Sequence, residues 1–558
     1  MKNLRHKPLV IFSLAIATLS GCGGDSAAPP SPSVIVTPPP PPPPPPSGNV
    51  SISGVMTFDR VPNTAATNTL DYTNIIRSPI RRHVVEAANG AGTIIAATNT
   101  DIAGRYSLSV PAGAQVSIRV RAQVLSTAGA TYNIQVVDNT NANAPYVLAG
   151  SLVDSGTTNS TRDLNAASGW GGTSYTGSRA AAPFAVLDTV LEAVDDIVAV
   201  DASAAFRPLN ILWSPNNRPA TGTLANGEIE TSFFSFTSSN EPFIALLGAA
   251  DTDTDEYDSH VIVHEFGHYV EGTLSRSDSV GGSHSDNESL DSRVAFSEGF
   301  GNAFSGMILN DPRYRDSFGS RQAQGFSVNV EANSQSPAGW FNEGSVGSIL
   351  YDIFDANSDG ADNISAGFGP IYRALRDSTY INNAFVTNIH SYLASLAGQS
   401  GIAAASLDAL IAQQSIGSRR ADMVGETNSG GLPFGLPYYK VATVGGAAVN
   451  VCSTNRFGTE NKLGNYDFVR LSNAAARQVT VTVTARRGPN AATVDPLFTV
   501  YQRGALVRTR DLSGGTSETE TFSLPAGEFI IAVASFANIG QDTANTAGDD
   551  ACYDFTVQ

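Results

Sequence analysis

The sequence predicts a multidomain protein with an N-terminal β-sandwich, a central α+β domain and a C-terminal β-sandwich. The first observation is length, because 558 residues at about 150 per domain correspond to three or four domains. The second is composition, since 42% hydrophobic and 15% charged residues can form several buried cores. The third is patterning, with alternating β-type segments at both ends and helical periodicity between them.

The charge balance excludes several classes of function. The chain has 33 Lys and Arg against 51 Asp and Glu, a formal charge of −18. Nucleic-acid binding requires a basic surface, so no nucleic-acid partner is expected. Docking on an anionic membrane through basic patches is excluded for the same reason. Three cysteines are too few for a disulfide-dense scaffold or a four-cysteine zinc site.

Residues 1–21 have the pattern of an export signal. A basic start precedes an apolar stretch at 9–19 that is too short to span a bilayer comfortably. The sequence LSGC at 19–22 resembles the bacterial lipobox, which implies lipidation of Cys22 and a membrane anchor in the cell envelope. Gly23, rather than Asp, then implies sorting to the outer membrane, facing periplasm or cell surface. The alternative is an ordinary signal peptide with an incidental cysteine.

Residues 22–49 are expected to form a tether. Pro38–Pro46 are nine consecutive prolines, which favour extended polyproline II at about 3.1 Å per residue. A stiff spacer between membrane and folded protein is the favoured interpretation over a ligand for proline-recognition domains.

Residues 50–160 alternate apolar and polar positions, as half-buried strands do. The clearest segments are Val50–Phe58, Tyr106–Val110 and Val116–Ala122. Short β-type runs separated by Gly, Asn, Pro and Asp predict a β-sandwich. Residues 98–122, with DIAGRYSLSVPAG at their centre, resemble the carboxypeptidase-regulatory-like domains of secreted proteins. That resemblance implies a fold, and leaves open whether the region is a removable prodomain or a permanent module.

Residues 161–440 change to mixed patterning. Apolar positions with helical spacing predict a helix over Ala180–Val200, with Pro183 tolerated near its start. Leu209–Trp213 and Ile229–Phe236 are predicted strands. Several helical patterns follow from about residue 259 to 420, which predicts an α+β domain.

The motif HExxH is present as His264, Glu265 and His268. Two residues four positions apart lie on one face of a helix, so both imidazoles can reach one ion. Such a pair supplies two of the three protein ligands of a catalytic zinc site, and the intervening Glu265 suits a general base. The neighbours Val261–Val263 indicate a buried helix, where these polar groups are costly unless paired or bound to metal.

Glu298 is a candidate third ligand within the apolar segment Val294–Phe304. Its buried carboxylate requires a partner. HEFGH followed by SEGFGNAF resembles the gluzincin metallopeptidases, which include thermolysin and the fungalysins. The fungalysin pattern is closer, although Ser297 replaces its first glycine. The resemblance implies a zincin-like catalytic domain in the central region, zinc bound by His264, His268 and Glu298, Glu265 as general base, and peptide or protein substrates.

Two departures from the gluzincin pattern are visible. Thermolysin-like members carry an Asp four residues after the ligand Glu, bonded to a ligand His, and this chain has Asn302. An amide still accepts a hydrogen bond from imidazole but carries no charge. Gluzincins also place an oxyanion-stabilising His or Tyr on a downstream helix. The corresponding stretch 340–354 has no histidine, and Tyr351 is the candidate.

Other histidines can compete as ligands. The metzincin pattern is excluded, because Glu271 and Leu274 occupy the positions where it requires Gly and His. His284 lies in a Gly- and Ser-rich loop and is an alternative third ligand. His260, one turn before the motif, is more consistent with a supporting residue, since a fourth protein ligand would close the catalytic position.

Two acidic segments are candidates for calcium. Asp355, Asn357 and Asp359 resemble the first half of an EF-hand loop. Ala366 occupies the position of the bidentate acid, so Asp362 would have to substitute for it. Five acidic residues precede the HExxH helix and can support its N-terminus electrostatically, with calcium as the weaker interpretation: Asp251, Asp253, Asp255, Glu256 and Asp258.

Residues 445–558 return to β patterning. Val479–Thr484 alternates strictly, and Phe498–Tyr501 and Phe529–Ser535 are further predicted strands. The order DPLFTVYQRG, loop, SLPAGEFIIAV resembles the bacterial pre-peptidase C-terminal domain, a small sandwich appended to secreted proteases.

The remaining cysteines are expected to form a disulfide. If Cys22 is lipidated, Cys452 and Cys552 are left as an even pair in an oxidising compartment. Their bridge would close a loop of about 100 residues, worth up to roughly 4–5 kcal/mol in the chain-entropy model.

Together these features predict a zinc metalloendopeptidase anchored in the cell envelope. The alternative is a surface binding or adhesion lipoprotein on a degenerate metallopeptidase fold, favoured by the missing oxyanion histidine and the flanking sandwiches. An aminopeptidase is a third possibility, and would require an anionic pocket to which Glu271 or Glu343 can contribute.

Overall fold

The computed structural model describes residues 48–358, 360–486, 494–512, 515–540 and 550–558. All of these belong to one unit, residues 46–558. The predicted signal peptide with Cys22, nearly all of the predicted tether, and Asp359 lie outside the described residues. The β-rich ends and the helices between them, predicted from the sequence, are confirmed.

The first part of the chain consists of fourteen strands, of which the first and the eighth are the longest at 12 residues each. The first strand shows how the sequence pattern relates to burial. Every second residue of that strand is buried, including Ile52, Met56 and Phe58, which explains its strict alternation. The strands are β1 (Asn49–Arg60), β2 (Asn63–Thr64), β3 (Thr69–Leu70), β4 (Ile76–Pro79), β5 (His83–Asn89), β6 (Ile94–Asn99), β7 (Arg105–Pro111), β8 (Gln115–Ser126), β9 (Tyr132–Asp138), β10 (Ala144–Pro145), β11 (Val147–Ala149), β12 (Val153–Asp154), β13 (Ser160–Thr161) and β14 (Leu164–Ala166).

The central part adds seven strands and eight α-helices. The strands are β15 (Leu209–Trp213), β16 (Phe233–Phe236), β17 (Pro242–Leu246), β18 (Gly248–Ala249), β19 (Asp253–Thr254), β20 (Arg313–Phe318) and β21 (Gln324–Asn329). The helices are α1 (Ala182–Val200), α2 (Ser259–Leu274), α3 (Ser292–Leu309), α4 (Glu343–Phe354), α5 (Phe368–Arg376), α6 (Ser378–Ile381), α7 (Ile389–Leu396) and α8 (Ala404–Gln413).

One large sheet joins the first and central parts across residue 160, the expected domain boundary. Its strand order is β16-β17-β15-β9-β8-β5-β6. Strand β15, from the central part of the chain, pairs in parallel with β9, from the first part. Strand β13, which contains residue 160, pairs with β1 in a second sheet. The two regions separated by sequence patterning therefore share backbone hydrogen bonds and one hydrophobic core. The alternation of apolar and polar residues predicts local structure only. It does not show which strands pair when they are more than 70 residues apart in the sequence.

Helix α1 covers this joined sheet and contacts strands β8 and β9. Pro183 lies in its first turn, where a missing N–H costs nothing. The predicted strand Ile229–Phe236 is shorter in the structure and begins at Phe233. Glu230 has a φ of 62°, a left-handed conformation that interrupts the extended run.

Helices α2, α3 and α4 pack consecutively against one another. Glycines allow the close approach: a Cβ built on Gly267 of α2 would lie 3.4 Å from the Cα of Gly301 on α3. A Cβ on Gly299 would lie 2.5 Å from the carbonyl oxygen of Glu343, where α4 begins. The small residues around the candidate third ligand therefore serve backbone packing between three helices.

The C-terminal β-domain, residues 439–558, contains two sheets around one core. It begins at β22, six residues before the expected start at 445. The reason is that β22 already pairs with β24 of this domain, and the turn at Gly445–Gly446 follows β22. The sheet orders are β22-β24-β29-β26-β27 and β23-β30-β25-β28. The elements are β22 (Tyr439–Ala442), β23 (Val449–Thr454), β24 (Tyr466–Asn473), β25 (Arg477–Ala485), β26 (Pro496–Gln502), β27 (Ala505–Arg510), β28 (Ser517–Leu524), β29 (Gly527–Ser535), α9 (Phe536–Ile539) and β30 (Asp550–Val557).

The expected disulfide is present between Cys452 and Cys552. The two cysteines are directly opposite one another on the antiparallel neighbours β23 and β30. Within the described part of the chain, no helix has the length and apolar character required to cross a bilayer.

Candidate metal centre

Three predicted ligands converge at the crossing of α2 and α3. The Nε2 atoms of His264 and His268 lie 3.0 Å apart, and each is 3.2 Å from Oε2 of Glu298. Helix α2 presents both imidazoles on one face because they are four residues apart. Helix α3 starts at the N-cap Asp291, which accepts a hydrogen bond from Arg293 N–H, and places Glu298 opposite them in its second turn.

The donor set fits a catalytic zinc ion. Two imidazole nitrogens and one carboxylate oxygen lie within 4.8 Å of one another, as three ligands of one ion must. All three side chains are largely buried. Buried imidazoles that face a carboxylate are typical of metal sites, where the imidazoles release their protons when the metal cation binds.

Electrostatics at the centre follow from this crowding. Burial lowers the pKa of His268, but the Glu298 carboxylate outweighs burial and raises that pKa to about 9. Burial likewise opposes ionisation of Glu298, yet His268 and His284 hold the pKa of the Glu298 carboxyl well below its usual range. Glu298 is therefore the ionised partner of the surrounding imidazoles.

Each ligand imidazole is oriented through its other nitrogen. His264 Nδ1 lies 3.0 Å from Oδ1 of Asn302, the residue singled out from the sequence. His268 Nδ1 lies 3.2 Å from the hydroxyl of Ser297, which donates to Oε2 of Glu271 at 2.6 Å. With Nδ1 as donor, Nε2 is left as the lone-pair nitrogen that faces the centre.

Glu265 is a buried carboxylate beside this centre. Its side chain is 7% exposed, and among the described residues no group hydrogen-bonds its carboxylate. The charge of Glu265 helps to raise the pKa values of both His268 and His284, so its carboxylate faces the same two imidazoles. A buried carboxylate with free lone pairs can accept a proton from a bound water.

His284 reaches the centre from the loop before α3. Its Nε2 lies 3.2 Å from Oε2 of Glu298, and its Nδ1 lies 2.8 Å from Oε2 of Glu343, the first residue of α4. It is not one of the three residues whose ligand atoms converge. Sequence reasoning treated His284 as a rival ligand and missed its pairing with Glu343, which lies 59 positions away. The available signal was the isolated histidine in a Gly- and Ser-rich loop.

Two other candidates lie elsewhere. The Nδ1 atom of His260 is 3.1 Å from the hydroxyl of Ser305, so this histidine faces a later turn of α3. Tyr351 packs near Gly306 and Phe354. Gly306 is eight residues beyond Glu298, about 12 Å along the helix, so Tyr351 is remote from the converging ligands.

The two acidic segments have different surroundings. Asn357 donates to Oε1 of Glu331 at 3.2 Å, and its backbone N–H donates to Asp355. Because Asp359 is outside the described residues, calcium at this loop stays a prediction. A second convergent group is formed by Asp253 and Asp255, which precede α2, and Asp316 of β20.

Comparison with known proteins gives one family match. The model of the Mycolysin C-terminal domain matches residues 204–408, which contain α2, α3 and α4 and hence every residue of the candidate centre. This similarity supports a metallopeptidase. No curated protein is similar enough to match the chain.

Two solved structures have weak likeness. The precursor of protealysin, a metalloproteinase from Serratia proteamaculans, is 9% identical, with 52% of this chain and 88% of that chain covered and a TM-score of 0.28. The pre-peptidase C-terminal domain of collagenase from Bacillus anthracis is 10% identical, with 22% of this chain and 94% of that chain covered and a TM-score of 0.16. TM-scores this low carry no argument about fold or function.

Proposed function

We propose that the protein is a zinc metalloendopeptidase of the gluzincin type. The observation that carries this proposal is the convergence of His264, His268 and Glu298 beside Glu265, whose carboxylate has no hydrogen-bond partner among the described residues. The similarity of residues 204–408 to the Mycolysin C-terminal domain supports the same class of reaction.

The chemistry divides between the metal and the side chains around it. Zinc held by the three ligands would lower the pKa of a water and polarise a peptide carbonyl. Glu265 is next to a ligand and is unpaired among the described residues, so it can take the proton of the attacking water and deliver it to the leaving amine.

His284 supplies a donor that the downstream helix lacks. Burial opposes protonation of His284, but the carboxylates of Glu298 and Glu343 raise the pKa of His284 to about 10, so the ring is an imidazolium with a proton on each nitrogen. Nδ1–H donates to Glu343, which fixes the ring, and Nε2–H faces Glu298 at the centre. A positioned N–H donor stabilises the oxyanion of a tetrahedral intermediate. The missing oxyanion histidine favoured a degenerate peptidase fold in the sequence, and the position of His284 supports the peptidase over that alternative.

Attachment to the cell envelope is part of the proposal. It rests on the sequence alone, through the export signal, the lipobox-like LSGC ending at Cys22 and the proline-rich tether. Mass spectrometry of the mature N-terminus tests it. A diacylglyceryl cysteine at Cys22 supports the anchor, and an unmodified mature N-terminus elsewhere contradicts it.

The peptidase reaction is tested by Glu265→Gln. The amide keeps the shape of the side chain but cannot accept the proton, so hydrolysis of casein and of a peptide library should fall about 100- to 10,000-fold. Zinc content, measured by mass spectrometry of metals, should stay at the wild-type level. Glu241→Gln, an exposed carboxylate, is the matched control and should retain activity. Equal activity of Glu265→Gln and wild type would contradict the proposed function.

A further inference from the structure

The loop that carries His284 is held from the C-terminal β-domain. We call residues 279–291 the His284 segment and residues 455–465 the clamp loop. The segment joins α2 to α3, and the clamp loop joins β23 to β24. The two are distant in sequence but lie side by side, with Leu290 and Lys462 forming an isolated antiparallel bridge.

Two side chains of the clamp loop bind the main chain next to His284. The amide of Asn461 donates to the carbonyl oxygens of Gly281 at 2.7 Å and Ser283 at 3.1 Å. The ammonium of Lys462 donates to the same Ser283 oxygen at 2.5 Å and lies 3.2 Å from Oε2 of Glu288. The carbonyl that immediately precedes His284 therefore accepts from both residues.

Backbone hydrogen bonds extend this contact toward α3. Asp291 N–H donates to the carbonyl of Asn461 at 2.8 Å, and Leu463 N–H donates to that of Ser289 at 3.0 Å. The bond to Asp291 is made at the residue that caps α3, the helix of Glu298. The C-terminal β-domain thus fixes both the His284 segment and the start of the ligand helix.

The burial of the two side chains separates these contacts from incidental surface contacts. Asn461 is fully buried and Lys462 is 6% exposed. A buried ammonium is strongly destabilising unless its protons are satisfied by hydrogen-bond acceptors. Its partners are the Ser283 carbonyl, Glu288 and Oδ1 of Asn461, so the segment provides most of the compensation.

The clamp loop is itself rigidly attached to its own domain. The side chain of Asn465 accepts from Lys462 N–H at 2.7 Å and donates to the carbonyls of Thr454 and Gly458. Residues 282–285, in contrast, are all solvent-exposed. Asn342 of the central region also binds this segment, donating to the carbonyls of Asp286 at 2.7 Å and Glu288 at 3.3 Å, both on the α3 side of His284.

We propose that Asn461 and Lys462 are positioning residues through which the C-terminal β-domain completes the active site. They hold the main chain beside His284 so that its imidazole stays between Glu343 and Glu298. This inference rests on the proposed function for its effect on catalysis. Its structural part, the immobilisation of the His284 segment by the C-terminal β-domain, is independent of any activity.

The first test measures backbone hydrogen exchange in metal-free protein. Lys462→Met keeps the aliphatic stem but removes the ammonium, and exchange in residues 279–291 should become at least about tenfold faster. Arg456→Met is the matched control, because Arg456 is a cation of the same loop whose ion pair is with Asp550 of its own domain. Asn461→Ala is the second variant if Lys462→Met does not fold. Unchanged exchange in both variants overturns the proposal.

The second test is a double-mutant cycle on peptide hydrolysis. Lys462→Met should lower kcat about tenfold with KM nearly unchanged, since it displaces a group that acts in the transition state. In a His284→Ala background the same substitution should cause no further loss. If the double variant instead loses the product of the two single losses in kcat, Lys462 does not act through His284, and its role as a positioning residue is overturned. If the wild-type protein is inactive while Lys462→Met still exchanges faster, the proposed function is contradicted and the clamp stands.

Discussion

The hydroxyl of Ser297 lies 3.2 Å from Nδ1 of His268 and donates its own proton to Glu271. This serine replaces the first glycine of the fungalysin-like pattern, and it gives the second ligand imidazole an acceptor that a glycine cannot provide. The hydrogen bond also opposes the effect of burial on Glu271, whose pKa is nevertheless raised to about 7.

Ser297→Ala should therefore weaken zinc binding. Loss of the acceptor frees the ring of His268, and groups that orient metal ligands typically contribute 10- to 100-fold in affinity. Competition with a chromophoric chelator measures the change. Ser305→Ala is the control, because it lies on the same helix and contacts His260 instead. An equal effect of both substitutions would show that helix packing, and not orientation of His268, is responsible.

Asn302→Asp should strengthen zinc binding. A carboxylate at this position would accept from Nδ1 of His264 with a charge-assisted bond, which is about twice as strong as a neutral one. The dissociation rate of zinc should fall several-fold, and Asn302→Leu should raise it. A faster dissociation in Asn302→Asp would mean that the extra negative charge is not tolerated beside Glu298.

Gly301→Ala should disrupt the metal centre sterically. A Cβ at this position would lie 2.8 Å from Cε1 of His264, so the ring or the helix must move. Overpacking of this kind costs about 1–3 kcal/mol of unfolding free energy, measured by urea denaturation. Gly347→Ala on α4 is the control, since its new methyl meets only an ordinary contact at 3.5 Å. Retained zinc affinity in Gly301→Ala would contradict the close packing of α2 and α3.

Stability should depend on pH through the acidic group formed by Asp253, Asp255 and Asp316. Burial raises the pKa of Asp253 to about 6, and burial with the charge of Asp253 raises the pKa of Asp316 to about 7. In the unfolded chain these groups titrate near pH 4, so the folded protein loses stability as the pH rises from about 4 to about 7. Asp316→Asn should reduce that loss by about 2 kcal/mol, allowing for partial exposure.

The comparison is made by urea unfolding in EDTA at several pH values. Glu241→Gln, an exposed carboxylate away from this group, is the control and should follow the wild-type curve. Parallel pH profiles for wild type and Asp316→Asn would show that repulsion among these acids does not limit stability.

Local chemistry made much of the centre predictable. The two histidines of HExxH must lie on one face of a helix, because they are four residues apart. Glu298 could be recognised because it is an acidic residue in an otherwise apolar helix. The position of Tyr351 was not predictable, since it depends on which face of α4 meets α3. The pairing of His284 with Glu343 depends on a loop whose path is set by the C-terminal β-domain. Such long-range contacts leave no periodicity in the sequence.

The same limit applies to the fold. Strands β1, β15 and β25 were evident from alternation and composition, but the partners of a strand are not encoded in its own residues. Parallel pairing of β15 with β9 joins regions that patterning divided at residue 160.

That shared sheet fixes where the chain can be cut. Removing residues 48–160 would deprive β15 of its neighbour β9 and expose a row of unpaired N–H and C=O groups at a hydrophobic edge. It would also leave Asp188 of α1 without Arg60 and Arg81, which pair with its carboxylate. A soluble minimal fragment that contains the candidate centre must therefore begin near residue 48, and a fragment that begins at residue 161 should aggregate. Transplanting the metal centre into another scaffold requires carrying this first β region along with it.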